Sequence, residues 1–377
     1  MSALIPFGAR SGFQIPRVNI GAMRLPGDTD EAVALIRHAI DNGLRYIDTS
    51  RGYGDSEIKL GKALKNGYRE KVILSTKWAS WITKIEPSDD TSADCVLKRI
   101  EESMKRLDVD YLDYYQVWNI MNNDCYAETI RKGGFLEGVM TAKKRGLIGH
   151  TGITSHAPVV DLLRYLDEMD WCEILLVSYH LLNTDYTPVL ARARQKGIGT
   201  IVMNPVGGGK LTEESPVFEP LVRKMGCRNM ADLSVRYVLS NPNVDTIITG
   251  ISKKSDVDDS NRSAQGPLFS AAQVAEIEAF VQARSPKNVR FCSGCGYCMP
   301  CPQGVAIPRV MDAIYNHRVL GFVQNAKGSY DGIGANSWTP GKKADECTEC
   351  GACVEKCTQQ IDISGEMRFA RELWSGK

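Results

Sequence analysis

Short apolar runs alternate with amphipathic stretches from the beginning of the chain to about residue 284. Eight of these runs have the length and the β-branched or aromatic content of buried strands. They are Arg17–Met23, Arg45–Thr49, Val72–Lys77, Leu112–Trp118, Gly149–Thr154, Ile174–Tyr179, Gly199–Asn204 and Thr246–Gly250. The stretches between them carry apolar positions at helical spacing. D-E-A-V-A-L-I-R-H-A-I-D-N-G opens on acidic residues and stops at Gly43, as a capped helix does. S-A-D-C-V-L-K-R-I-E-E-S-M-K-R-L has the same period. This alternation predicts βαβ units and a parallel sheet. Eight units in about 260 residues is the size of a (β/α)8 TIM barrel. A doubly wound open sheet competes, but no G-x-G-x-x-G follows the first strand. Ahead of that strand, I-P-F-G-A-R-S-G-F-Q-I-P predicts a hairpin across the barrel bottom. S-P-K after Arg284 reads as a linker, which divides the chain into a barrel at 1–284 and a small domain at 285–377. Gly321 to Gly341 is rich in Gly, Asn and Ser and reads as a loop.

The small domain holds eight cysteines in two tight runs. The first is C-S-G-C-G-Y-C-M-P-C-P, with Cys292, Cys295, Cys298 and Cys301. The second is C-T-E-C-G-A-C-V-E-K-C-T, with Cys347, Cys350, Cys353 and Cys357. Repeated C-x2-C steps let one loop place several thiolates on one cubane, and they point to [4Fe–4S] ligation. In two-cluster ferredoxins the fourth cysteine of each run serves the other cluster. By that rule Cys292, Cys295, Cys298 and Cys357 hold one cluster, and Cys347, Cys350, Cys353 and Cys301 hold the second. Two departures leave the crossing open. The first run closes with x2 through Met299-Pro300, and no proline follows Cys357. Zinc is the competing reading, but zinc ribbons rarely run four cysteines at unbroken x2 spacing. The result is a ferredoxin-like two-cluster domain behind the barrel.

Formal charge is +1 over 377 residues, so nothing draws this chain to nucleic acid or an anionic membrane. No run of about 18 apolar residues exists to span a bilayer. The first residues, M-S-A-L-I-P-F-G-A-R, lack a signal-peptide pattern. Cys95, Cys125, Cys172 and Cys227 are scattered without motif spacing and read as reduced core residues. A cytoplasmic protein is expected.

Catalytic groups of a TIM barrel lie at the C-terminal ends of its strands. Those ends offer Asp48 after the second run, Tyr53 five residues on, and Lys77 at the end of the third. A phenol with pKa near 10 works poorly at neutral pH until an ammonium stabilises its charged form. Asp48 would keep Lys77 charged and aimed at Tyr53. Each residue alone has a bland reading: a strand-end lysine reaching solvent, an aspartate in a turn.

Y-I-D-T-S-R-G-Y-G-D-S-E, then L-S-T-K-W, V-D-Y-L-D-Y-Y and N-P-V-G-G-G-K-L, resemble the aldo-keto reductase family over about residues 1–284. With its cysteine tail, the chain is similar to the branch of that family that carries a C-terminal ferredoxin-like domain. The resemblance implies a barrel that binds NADPH without a Rossmann domain and passes hydride to a carbonyl. It also implies Tyr53 as proton donor, Lys77 as its activator and Asp48 as the partner of Lys77. One family residue is missing: Trp118 stands where the family keeps a histidine. An indole N–H donates one hydrogen bond and cannot shuttle a proton. His156 and His180 lie just past the fifth and sixth strands.

The same resemblance assigns nicotinamide contacts. Thr154-Ser155 aligns with the pair that grips the carboxamide, and Tyr179 with the stacking aromatic. Asn204, Gly207, Gly208 and Lys210 belong to a Gly-rich loop suited to a pyrophosphate. Gly250, Ser252 and Lys253 sit where TIM barrels often bind phosphate. Lys253 or Lys254 would read a 2′-phosphate, and Ser260-Asn261 falls at the adenine position. Trp78, Trp81 and Trp118 suggest an aromatic wall for a flat or sugar-like ligand.

Two classes of function remain. One is NADPH-dependent reduction of a carbonyl, or its reverse, in a barrel coupled to two clusters. The other is non-reductase proton-abstraction chemistry, such as elimination or epimerisation, or an electron-transfer subunit; Trp118 favours this class. Hydride carries two electrons while a [4Fe–4S] cluster passes one. The clusters therefore either brace the small domain, or wire a redox partner protein to a substrate in the barrel, or serve a flavin or a radical-holding substrate bound there.

Overall fold

The computed structural model describes residues 4–375. Among these described residues there are ten strands: β1 (Ile5–Pro6), β2 (Gln14–Ile15), β3 (Val18–Gly21), β4 (Tyr46–Asp48), β5 (Ile73–Trp78), β6 (Leu112–Ile120), β7 (Ile148–Ser155), β8 (Ile174–Ser178), β9 (Gly199–Met203) and β10 (Thr246–Gly250). β3 to β10 pair in parallel and close into an eight-stranded barrel, with β10 against β3. These are the eight predicted runs; the last matches end to end, and the others differ by a residue or two at one or both ends. The helices between them start and stop as their sequences direct. Asp28 accepts from Glu31 N at the start of Thr29–Asp41, and Ser92 accepts from Cys95 N before Ala93–Leu107.

β1 and β2 form the expected antiparallel hairpin. Its Phe7 and Ile15 join Tyr46, Ile73, Tyr114, Ile174, Leu176, Ile201 and Ile248 in one buried cluster. Phe7 meets Tyr46 and Tyr114 edge-on at 5.6 and 5.7 Å. Truncating such a ring to alanine costs about 3–5 kcal/mol. Period-2 alternation carries the same inward positions from this apolar floor to a polar ceiling: Tyr46 then Asp48, Ile73 then Ser75 and Lys77, Tyr114 then Gln116 and Trp118. The floor supplies stability, which leaves the strand ends free for chemistry.

The chain falls into two compact units. One is the chain up to Gly207 together with Ser234–Phe269; the other is Gly208–Leu233 with the chain from Ser270 onward. The second unit has its own core, made of Phe291, Val305, Ile307, Val310, Met311, Ile314, Tyr330, Ile333, Ile363 and Met367 among others. The Gly/Asn/Ser-rich segment read as a loop contains a helix, Val323–Asp331. Its apolar residues Val323, Ala326 and Tyr330 recur at helical spacing, and Ala326 and Tyr330 are buried. Burial of that stripe outweighs the low helix propensity of the glycine and asparagine. Among the described residues no helix is long and apolar enough to cross a membrane.

Candidate functional site

β4 and β5 bring Asp48 beside Ser75, and β5 and β6 bring Lys77 beside Gln116. All four side chains are buried. Lys77 Nζ donates to Asp48 Oδ2 and, at 2.9 Å, to the Thr49 carbonyl. The turn after β4 carries Tyr53, whose ring centre stands 5.0 Å from Lys77 Nζ. Asp48, Tyr53 and Lys77 therefore converge on one strand-end site. Burial works against the Lys77 ammonium, but Asp48 and Tyr53 hold its pKa above the usual lysine value. Burial pushes the Asp48 carboxyl up, and Lys77 and Gln116 pull it back. A buried pair like this is costly to halve, by about 3–5 kcal/mol, because one charge is then left alone.

Tyr53 departs from the expectation that an ammonium would lower its pKa. Burial pushes the phenol above its usual value; Lys77 opposes this and Asp48 adds to it. Tyr53 therefore keeps its proton at neutral pH, the form that can donate to an oxygen.

Trp118 meets Tyr53 edge-on, with ring centres 5.3 Å apart. Room for the indole comes from Gly52, where a Cβ would lie 2.4 Å from Trp118 Cζ3. The other two tryptophans do not form a wall with it. Trp78 is fully buried and stacks on Phe135 at 6.4 Å, and Trp81 leans on the same ring at 5.8 Å. Strand alternation turns Trp78 away from the inward side occupied by Lys77.

The β6–β7 ladder runs Val117 to Ile153 and resumes at Ile120 to Ser155. Trp118 and Asn119 thus stand opposite Thr154 alone, a bulge of the kind that re-aims side chains near active sites. Thr154 Oγ1 and Asn119 Oδ1 are buried and have no hydrogen-bond partner among the described residues. Ser155 points the other way: its hydroxyl donates to the Ile120 carbonyl at 2.8 Å and accepts from Ala157 N. Sequence reasoning missed Gln116 and Asn119. Gln116 had a signal, being a polar residue two before Trp118 on an inward row. The bulge that adds Asn119 had none.

The remaining nucleotide candidates are scattered. Tyr179 stacks on Tyr237 at 6.1 Å. Asn204 turns left-handed (φ 55°), and its carbonyl accepts from Gly207 N at 2.8 Å. Gly207, Gly208 and Gly209 follow with φ of 59°, 70° and 108°, a succession only glycine tolerates. Lys210 belongs with the second unit, where its Nζ donates to Asn316 Oδ1 at 2.8 Å. Gly250 closes β10 and is exposed. Asp256 Oδ2 accepts from Ser252 N and Oγ, both at 2.8 Å, and from Lys253 N at 3.1 Å. A carboxylate thus takes the donors that a phosphate would use there. His156 is exposed, and His180 Nδ1 accepts from Leu182 N.

In the second unit the two cysteine runs repeat one backbone course. Gly294 and Glu349, each two residues after the first cysteine, have φ of 72° and 55°. Their N–H groups donate to Cys292 and Cys347 Sγ, both at 3.4 Å. Gly296 and Gly351 follow with φ of 78° and 76°. The second cysteine of each run, Cys295 and Cys350, is exposed; the other six belong to the core or pack against it. Cys301 lines one hollow with Cys347, Cys350 and Cys353, and Cys298 also faces it. Burial raises the Cys292 thiol, with Cys295 and Cys357 as charged neighbours. Burial likewise raises Cys353, whose neighbours are Cys347, Cys301 and Cys350. Among the described residues no three groups close on one point as they would around a single metal ion.

The family model for the aldo/keto reductase family matches residues 17–282, and that for a 4Fe-4S dicluster domain matches residues 291–361. L-galactose dehydrogenase of Arabidopsis thaliana is 29% identical over 319 residues, covering 75% of this chain and 95% of that one. L-glyceraldehyde 3-phosphate reductase of Escherichia coli K12 is 22% identical over 324 residues, covering 72% and 90%. A solved aldo-keto reductase from Bacillus halodurans, in its holo form, shares the fold with a TM-score of 0.64 at 23% identity, covering 73% and 95%. A family model that takes in all eight barrel strands, with enzymes of the same kind as relatives, makes this chain an oxidoreductase belonging to the aldo/keto reductase family, with a C-terminal 4Fe-4S dicluster domain.

Proposed function

We propose that the barrel reduces the carbonyl of a sugar-like, polyhydroxylated substrate with NADPH, or runs the reverse oxidation, and that the C-terminal module carries two [4Fe–4S] clusters. The observation that carries the barrel reading is the buried Lys77–Asp48 pair beneath a protonated Tyr53. When bound, the nicotinamide supplies the hydride. Tyr53 donates its proton to the carbonyl oxygen, Lys77 steadies the negative charge left on the phenol, and Asp48 keeps Lys77 charged and in place. The unpartnered Thr154 hydroxyl suits a carboxamide, whereas Ser155, Tyr179 and Lys210 already have partners and contribute less. Asp256 weakens the case for a 2′-phosphate at Ser252 and Lys253, so preference for NADPH over NADH rests on the family likeness alone. The sugar-like substrate draws support from the named activities of the plant and bacterial relatives and from the unpartnered Asn119.

The clusters are assigned as Cys292, Cys295, Cys298 and Cys357 for one, and Cys347, Cys350, Cys353 and Cys301 for the other. The hollow that Cys301 shares with Cys347, Cys350 and Cys353 supports that crossing. Their first role is bracing, since six of the eight cysteines belong to or adjoin the module core. A route to a redox partner protein is a further role. Hydride chemistry proceeds without it, because one-electron cluster traffic does not match a two-electron transfer.

Trp118 supports a second reading. Crowding Tyr53 with indole in place of a proton-shuttling imidazole favours proton abstraction over reduction. Anaerobic steady-state assays with NADPH or NADH and a panel of hydroxyaldehydes and ketones decide between them. The reductase reading requires oxidation of nicotinamide that depends on the carbonyl. Tight nicotinamide binding without any turnover would move the assignment to the second reading.

The cluster assignment has its own test. Protein purified without oxygen should hold about eight iron and eight sulfide per chain. Zinc, or only four iron, would sink the two-cluster assignment. Cys357→Ser should disturb the cluster of the first run; damage confined to the second would mean that each run ligates its own cluster.

A further inference from the structure

We propose that Gln116 is a positioning residue that fixes the Asp48 carboxylate so that one of its oxygens faces Lys77. This rests on the reductase reading only where turnover is measured.

Gln116 is fully buried on β6, next to Lys77 in the parallel register. Its Nε2 donates its two hydrogens to Asp48 Oδ1 at 2.9 Å and to Ser75 Oγ at 2.7 Å, with the Tyr46 hydroxyl a longer contact at 3.3 Å. Lys77 holds the other oxygen, Oδ2. The carboxylate is thus gripped at both ends, and its plane cannot turn about the Cβ–Cγ bond. The Gln116 carbonyl oxygen has no partner among the described residues. That asymmetry identifies the dominant contact. Ser75 and Tyr46 are hydroxyls and could donate to a reversed amide. An ionised Asp48 has no proton to give, so it alone dictates that the nitrogen faces inward. With the N–H turned to Asp48, the carbonyl oxygen is the end left without a partner among the described residues.

The groups facing Asp48 are Lys77 from β5, Gln116 from β6, Tyr46 from its own strand and Tyr53 from the turn beyond. Gln116 favours only the charged form of Asp48. Its contribution to stability is therefore present where Asp48 is ionised and absent where it is protonated. A glutamine that merely fills space would contribute equally at every pH.

The test pairs two measurements on the cluster-loaded full chain. Thermal melts of wild type and Gln116→Met, which keeps volume and removes the donor, are compared from about pH 4.5 to 8. The gap between them should widen as pH rises through the Asp48 titration; a constant gap would overturn the proposal. This readout needs no turnover, so it stands whether or not the reductase reading does. Where turnover is measured, kcat should fall about 10- to 100-fold, as when the partner that orients a functional ligand is lost. KM for the nucleotide should stay within about twofold, and the acid limb of the kcat profile should move to higher pH. Gln116→Glu serves as the second variant and guards against a Met substitution that fails to fold. Two carboxyls at that distance share one proton, so its acid limb should move further still. An unmoved limb in either folded variant would confine Gln116 to packing.

Discussion

Tyr53→Phe should lower kcat by about 10²–10⁴ while nicotinamide affinity stays within a few-fold. The ring remains, so the edge contact with Trp118 and the seat over Lys77 survive. The hydroxyl is lost, and its proton matters only as charge builds on the carbonyl oxygen. The direction of the Tyr53 shift adds a pH signature. Burial holds the phenol protonated beyond its usual range. Reduction uses that protonated form, so titration of Tyr53 itself leaves the rate flat through neutrality and lowers it only at strongly alkaline pH, apart from the acid limb set by Asp48. Oxidation needs the phenolate and should gain with rising pH. Rapid kinetics across pH, with fluorescence titration of nicotinamide on the same samples, reads both effects. Wild-type rates in the variant would remove Tyr53 from the mechanism.

The barrel was legible because each strand is a short apolar run set off by amphipathic stretches, some with readable caps such as Asp28 and Ser92, and length and period could be read one segment at a time. The hairpin floor was legible for the same reason. Asp48 and Lys77 were legible as strand ends and Trp118 through the family likeness, and period 2 along β4, β5 and β6 sets all three on inward rows. The same rule read strictly puts Trp78 outside, beside the helix residue Phe135; grouping tryptophans by closeness in sequence hid that. Gln116 was legible only as a polar residue on an inward row. Its importance lies in which atom of Asp48 it touches, and no spacing encodes that. The bulge at Trp118–Asn119 shifts the register within a single ladder, with no turn residue to announce it. The cysteine runs announced their chemistry outright, and the structure adds that Glu349 adopts a left-handed turn that glycine adopts in the first run. The helix Val323–Asp331 went unread because three apolar positions define it and Gly and Asn fill the rest. Nucleotide contacts were the least legible. Asp256, Asn316 and Tyr237 lie far in sequence or on other elements from the residues they engage, and only folding reveals that Ser252, Lys210 and Tyr179 are already engaged.

Trp118→His should raise the reduction of small hydroxyaldehydes, because one well-placed donor to developing negative charge is typically worth about 10²–10³ in rate. Two effects act together. Imidazole supplies a donor beside Tyr53 that can also accept or pass a proton, which indole cannot. It is also smaller, so the crowding that makes Gly52 obligatory beneath Cζ3 is relieved. The indole is only partly buried, so its removal leaves a pocket that water or substrate fills, and the floor of the barrel is untouched. The substitution therefore tests chemistry with little cost in folding, and a thermal melt checks that. Substrate size sharpens the result. If crowding dominates, bulky ketones gain most and Trp118→Ala gains with them. If the missing donor dominates, small aldehydes gain most and only histidine gives the increase. A flat or falling rate in Trp118→His, with nicotinamide still bound, would mean that the indole belongs to a different reaction. The proton-abstraction reading would then take precedence over reduction.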